Sequence, residues 1–173
     1  MNQTQKQARR IAICGMLLAL MLVLGFVESQ LPALPGTMPG IKLGLSNSIL
    51  IFAVYMLNIP SAYLLMGLKV VLSGLLFSGV NAMMYAFAGG VLSLTLMCLL
   101  SRIKGLSPIV VSMMGGLSHN VGQVAVAIAI TKTPYLLFYM AILMVVGMVT
   151  GLATGVAANG IILRFQKEKT PKV

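Results

Sequence analysis

The sequence predicts an all-α integral membrane protein, a bundle of six transmembrane helices with both termini on the cytoplasmic side. Three observations carry that expectation. Of the 173 residues, 59% are hydrophobic and 8% charged, and the mean hydropathy is +1.02. A soluble domain carries about a quarter charged residues. The apolar residues gather into six runs, each about as long as a bilayer-crossing helix requires. The cations, in turn, gather at the chain ends and in one alternate connection, which is the pattern of a multi-pass chain.

The first span is expected at 11–27, after the basic segment KQARR and before Glu28. A second runs from about 41 to 57 and stops at Asn58 and Pro60, because proline lacks the helical donor and disfavours helix at the residue before it. The third covers about 61–78, and Gly79 with Asn81 marks a tight connection to the fourth, about 82–100. SRIKGLSP is a loop. The fifth span runs from Pro108 to about Ile130, and TKTP separates it from the sixth, about Tyr135 to Leu163. That last run exceeds the hydrocarbon thickness and should tilt or project. No internal repeat is evident.

Orientation follows from the Lys and Arg retained in cytoplasmic segments. Lys6, Arg9 and Arg10 precede the first span, Arg102 and Lys104 lie between the fourth and fifth, and Arg164, Lys167, Lys169 and Lys172 follow the sixth. With six spans these clusters share one side, and only Lys42 and Lys132 lie in the opposite connections. The chain therefore divides into a cytoplasmic basic N-terminus at 1–10, a membrane domain at 11–163 with an extracellular loop at about 28–40, and a cytoplasmic basic tail at 164–173. The first segment begins like a signal peptide, but no small-residue cleavage site follows it, so it is expected to be retained.

Composition also excludes chemistry. With no Asp, two Glu and one His, the chain supplies neither a carboxylate dyad, a Ser-His-Asp triad nor an Asp-rich magnesium site. It has no GxxxxGK[ST] loop for a nucleotide. No catalytic residue, cofactor or metal site is expected. Twelve Lys and Arg do not indicate nucleic acid, because nine of them flank membrane spans and do not form a basic face on a folded surface. Cys14 and Cys98 lie in apolar runs without CxxC spacing and read as small packing residues.

Residues that are costly to bury are the functional candidates. A charged side chain at the bilayer centre costs at least about 2.5 to 3.5 kcal/mol. Lys69, midway along the third span, is too deep to reach either interface comfortably by snorkelling. It should face a wet cavity or the bundle interior, as a ligand contact or bonded to backbone carbonyls. In the fifth span, GGLSHNVGQ places Gly116, His119, Asn120 and Gln123 on one helical face. Such a stripe must turn inward, where it binds either a polar ligand or neighbouring helices. His119 lacks further ligands of the kind a metal needs.

The sixth span reads GMVTGLATGVAANG, with Gly147, Gly151 and Gly155 every fourth residue. This ladder admits a close helix partner, internal or on another protein. Gly15 and Ala19 form a shorter version on the first span. Between the first two spans, ESQLPALPGTMPGIKLGLSNS is rich in proline and glycine and describes a stiff loop. Glu28 and Lys42 flank that loop and Asn47 lies one turn inside the next helix. The loop is placed either to cap a cavity between helices or as simple punctuation with an interfacial ion pair.

The stretch LPALPGTMPGIKLGLSNSILIFAVY resembles the signature of the Gx transporter family, also described as heptaprenyl diphosphate synthase component I. That family is similar to the substrate-binding S components of energy-coupling factor (ECF) transporters. The resemblance implies a six-helix, ECF S-component-like fold in the bacterial cell (inner) membrane, with a long first loop over the ligand site. It also implies a partner, the ECF coupling module of a transmembrane coupling protein and two ATPases. Gly15 and Ala19 stand where S components carry the AxxxA-like motif that contacts the coupling protein, here as Gly-x-x-x-Ala.

The expected function is therefore non-enzymatic. A substrate-binding subunit in the lipid bilayer would capture a small organic micronutrient, or an isoprenoid-, quinone- or flavin-related precursor, from outside and deliver it when the ATP-driven coupling complex reorients it. Lys69 and Lys42 would favour an anionic group, while Glu28, Asn47, His119, Asn120 and Gln123 would hydrogen-bond polar atoms. The competing expectation is a membrane accessory subunit linked to heptaprenyl diphosphate synthesis, with the same polar residues serving as helix glue. Prenyl elongation itself needs Asp-rich motifs, which this chain lacks.

Overall fold

The computed structural model describes residues 2–31, 42 and 44–169, the last eight by backbone alone. Every element among them is helical. Four helical runs are long and apolar enough to cross a bilayer: Gln3–Gln30, Ile59–Leu100, Pro108–Thr131 and Leu136–Ile161. Large apolar side chains such as Ile11, Leu75 and Phe138 cover the perimeter, as a lipid-facing surface requires. The protein is a multi-pass membrane helical bundle.

The first helix, α1 (Gln3–Gln30), takes in the basic segment and ends past Glu28. Its 28 residues reach about 42 Å. The expected break before Glu28 does not occur, because no helix breaker precedes Pro32; Glu28 instead occupies the last turn and is buried. The stretch from 32 to 41, with 43, holds most of the expected loop and lies outside the described residues.

The expected second span is shortened to α2 (Leu45–Met56), with an irregular turn at Ile49. Gly44 sets its start. At φ +86 and ψ 15 that residue adopts the left-handed conformation that only glycine takes without cost. At about 18 Å, α2 is too short to cross the hydrocarbon region alone. It sits at the centre of the bundle, in contact with every other helix, and Leu50, Ile51 and Ala53 are fully buried.

Helix α3 (Ile59–Ser73) begins two residues earlier than expected, at Ile59. Asn58 caps it, its Oδ1 accepting from the Ser61 amide at 3.2 Å, and Pro60 falls in the first turn, where its missing donor is harmless. The helix runs into a π turn at Gly74–Ser78, and the chain then reverses at Gly79, with φ +78 and ψ 168. Helix α4 (Gly79–Leu100) returns alongside α3. The proof is a 2.6 Å hydrogen bond between the hydroxyls of Tyr63 and Thr95, residues that would lie about 48 Å apart on one straight rod.

Helix α5 (Pro108–Thr131) starts at Ser107, whose hydroxyl accepts from the Val110 amide, and ends at Lys132 in a left-handed conformation. Helix α6 (Leu136–Lys169) follows and carries on through the start of the expected basic tail. Contact between α5 and its two neighbours is backbone to backbone. A Cβ on Gly122 would stand 2.8 Å from the Gly89 Cα of α4, and a Cβ on Gly151 would stand 2.5 Å from the Ser112 carbonyl oxygen. Hydroxyls reinforce both seams, Ser93 donating to the Gly115 carbonyl at 2.8 Å and Ser112 pairing with Thr154 at 3.2 Å.

Candidate functional site

The end of the bundle where α1 finishes and α3 turns into α4 holds a buried polar cluster. Its first anchor is Glu28, 5% exposed, whose Oε1 accepts from the Gly44 amide at 2.5 Å. A carboxylate on a backbone N–H is a strong, charge-assisted contact. The other oxygen, Oε2, is buried and has no partner.

Gly44 also opens α2. Its carbonyl accepts from the amides of Asn47 and Ser48, so the first turn of α2 carries Asn47 inward. That side chain is 2% exposed, and neither Oδ1 nor Nδ2 has a partner. Facing it is Gly90 of α4, where a Cβ would stand 3.7 Å from the Asn47 oxygen.

From α5, His119 projects into the space between two glycines. A Cβ on Gly44 would stand 2.9 Å from its Cδ2, and one on Gly89 would stand 2.7 Å from its Nδ1. The ring is 2% exposed; Nδ1 has no hydrogen-bond partner of good geometry, although the Gly89 backbone lies within reach of the ring. Lys69 of α3 is likewise buried at 4%, within electrostatic reach of Glu28, Lys42 and His119.

The remaining stripe residues are engaged. Asn120 donates to the Leu143 carbonyl of α6 at 2.5 Å. Gln123 grips the backbone of Lys42 from both sides, accepting from its amide at 3.1 Å and donating to its carbonyl at 3.2 Å. The Lys42 amine turns away from this grip, donates to the Ser78 hydroxyl and lies 5.2 Å from the centre of the Phe77 ring. Phe77 in turn meets Phe26 of α1 edge to face at 5.7 Å.

All seven polar residues expected at a site thus lie in one connected region, but they divide by what they touch. Asn120 ties helices, Gln123 holds the Lys42 backbone and Glu28 holds the Gly44 amide. Glu28, Asn47 and His119 retain unpaired atoms. An unpaired buried polar group costs about 1 to 3 kcal/mol, so four such atoms in one apolar bundle are a large concession to leave standing. Acceptor, donor and imidazole functions converge there with one buried amine.

The packing residues expected on α6 have an internal partner. Gly147 faces the Gly116 backbone, Gly151 faces Ser112 and Met113, and Gly155 faces Ile109. Gly15 and Ala19 lie instead on the exposed side of α1, and a Cβ on Gly15 would meet nothing within 4 Å.

Residues 17–161 match the family described as heptaprenyl diphosphate synthase component I. The chain belongs to that family. No curated protein and no solved structure matches it. The family match covers Glu28, the cluster and the whole glycine seam, leaving out the first half of α1, Gly15 included, and the end of α6.

Some residues that build the site carry weak sequence signals. The Gly89–Gly90 doublet in the middle of an apolar span marks a close approach, and here it admits His119 and Met66. Gly44 has no such signal, since its left-handed conformation depends on where α2 docks. Ser78 and Phe77 read as ordinary span-end residues, and only the α3–α4 reversal brings them to Lys42.

Proposed function

We propose that this protein is the substrate-binding subunit of an importer of the energy-coupling factor type, a non-enzymatic membrane protein that captures a small organic solute at the Glu28–Asn47–Lys69–His119 cluster. The observation that carries this reading is the set of unpaired buried atoms on Glu28, Asn47 and His119. Interhelical glue would satisfy its own polar groups, as Asn120 and the seam hydroxyls do. A ligand site keeps them in reserve.

In this reading the helical passes number six, counting α3 and α4 separately and α2 as a short pass. Both termini then lie with Arg102 and Lys104 in the cytoplasm, and the cluster lies toward the outer face. The exposed Gly15 and Ala19 face of α1 would meet the coupling protein, and the chain's want of a nucleotide loop means that partner ATPases supply the energy. The setting is a bacterial inner membrane.

The family description favours a second reading, an accessory membrane component of heptaprenyl diphosphate synthesis. One experiment separates them: affinity purification in mild detergent, with both the proteins and the small molecules that copurify identified by mass spectrometry. Coupling-module subunits together with a retained solute are expected. A stoichiometric prenyl synthase with no retained solute would replace the importer with the accessory subunit.

A further inference from the structure

The unpaired atoms specify more than a polar solute. Glu28 is held by one oxygen on the Gly44 amide, so its second oxygen is fixed in place as an acceptor. An ionised carboxylate accepts and never donates; the group that meets Oε2 must bring a hydrogen. Amines outnumber carboxylates here, because Lys69 and Lys42 share the neighbourhood with Glu28 as the one acid. Lys42 is already engaged, its amine on Ser78 and the Phe77 ring and its side chain only half-buried. Lys69 is the buried amine, and a buried charge is tolerable when a counter-charge and hydrogen bonds meet it. Asn47 adds one donor and one acceptor side by side, the pairing edge of an amide.

We propose that the solute is a small anion that also carries an N–H or O–H donor, its anionic group meeting Lys69, its donor meeting Glu28 Oε2, and a neighbouring polar edge meeting Asn47. This rests on the capture reading above and narrows it to a solute class. A neutral isoprenoid would satisfy none of these atoms. A simple cation would face Lys69.

Glu28→Gln is the discriminating substitution. The Gly44 amide needs an oxygen, so the glutamine oxygen takes the Oε1 place and its NH₂ occupies the Oε2 place. Acceptor becomes donor at one position while the contact to Gly44 is kept. Lys69→Met removes the charge and keeps most of the stem.

The test uses the purified full chain in mild detergent and two probes, made by passing the small-molecule fraction of a bacterial cell extract over an anion exchanger: the retained anions and the flow-through. The retained fraction should raise the melting midpoint of the wild-type protein and the flow-through should not. Glu28→Gln and Lys69→Met should each need at least about tenfold more of the retained fraction for the same shift, with their unliganded midpoints close to wild type. Stabilisation by the flow-through alone would overturn the anionic class and leave capture standing. If Glu28→Gln responded as wild type does, the acceptor role of Oε2 would be lost. If neither fraction stabilised the wild-type protein, capture would fall and this inference with it.

Discussion

Gly147→Ala tests whether the α5–α6 seam holds the site in place. The added Cβ would stand 2.6 Å from Asn120 Nδ2 and 2.8 Å from the Gly116 carbonyl carbon. Backbone cannot step aside as a flexible side chain can, so the helices must separate. Overpacking of this kind costs about 1 to 3 kcal/mol. Moving the Asn120 amide off the Leu143 carbonyl adds about 0.5 to 1.5 kcal/mol, while alanine regains about 1 kcal/mol of helix propensity. The net loss is about 0.5 to 3.5 kcal/mol. Gly15→Ala is the matched control, because nothing lies within 4 Å of its Cβ and only the propensity gain remains. The two variants should therefore differ in sign. Reversible unfolding in mixed micelles measures both. Equal stability of Gly147→Ala and Gly15→Ala would refute the idea that the ladder is an internal seam.

Gly44→Ala should destabilise by about 1 to 2 kcal/mol from its left-handed backbone alone. It should also displace His119, which amide and imidazole NMR shifts on α5 would reveal; a silent His119 would separate the two residues. Tyr63→Phe, Thr95→Val and the double variant form a cycle whose coupling should be about 0.6 kcal/mol, and zero coupling would count against the α3–α4 hairpin. For topology, cysteines at positions 5 and 104 should resist an impermeant thiol reagent applied to intact cells while one at position 37 reacts. Labelling of position 37 only in inverted vesicles would reverse the orientation.

Much of the bundle was legible because the bilayer makes burial rules severe. The i, i+3, i+4 spacing of Gly116, His119, Asn120 and Gln123 points to an inward face, and Lys69 stands out by depth alone. Both signals are local. Partner identity is not local. The ladder at Gly147, Gly151 and Gly155 announces a close neighbour but not that α5 is that neighbour, since any small-residue face would satisfy the same pattern. Likewise, Lys42 reads as a site cation, and only the reversal at Gly79 shows its amine directed to Ser78 and Phe77. The start of α2 is illegible for a similar reason: apolar residues continue upstream to Ile41 in the sequence, but a left-handed Gly44 sets the helix start at Leu45.

Glycine and the unpaired atoms belong to one design. His119 is admitted because Gly44 and Gly89 carry no side chains, and Met66 because Gly90 carries none. The same α5 helix is held by Gly89 and Gly122 on one flank and by Gly116 with Gly147 on the other. A helix held on both flanks at backbone distance has little freedom to rotate, so the His119 ring stays against the Gly89 backbone. A looser, leucine-packed bundle could relax and pair its polar groups internally, gaining stability and losing the site. The seam therefore does two things at once: it supplies close packing in a setting where lipid removes the hydrophobic drive between helices, and it fixes where α5 presents His119. Stability in one part of the bundle is what permits a locally destabilised site in another.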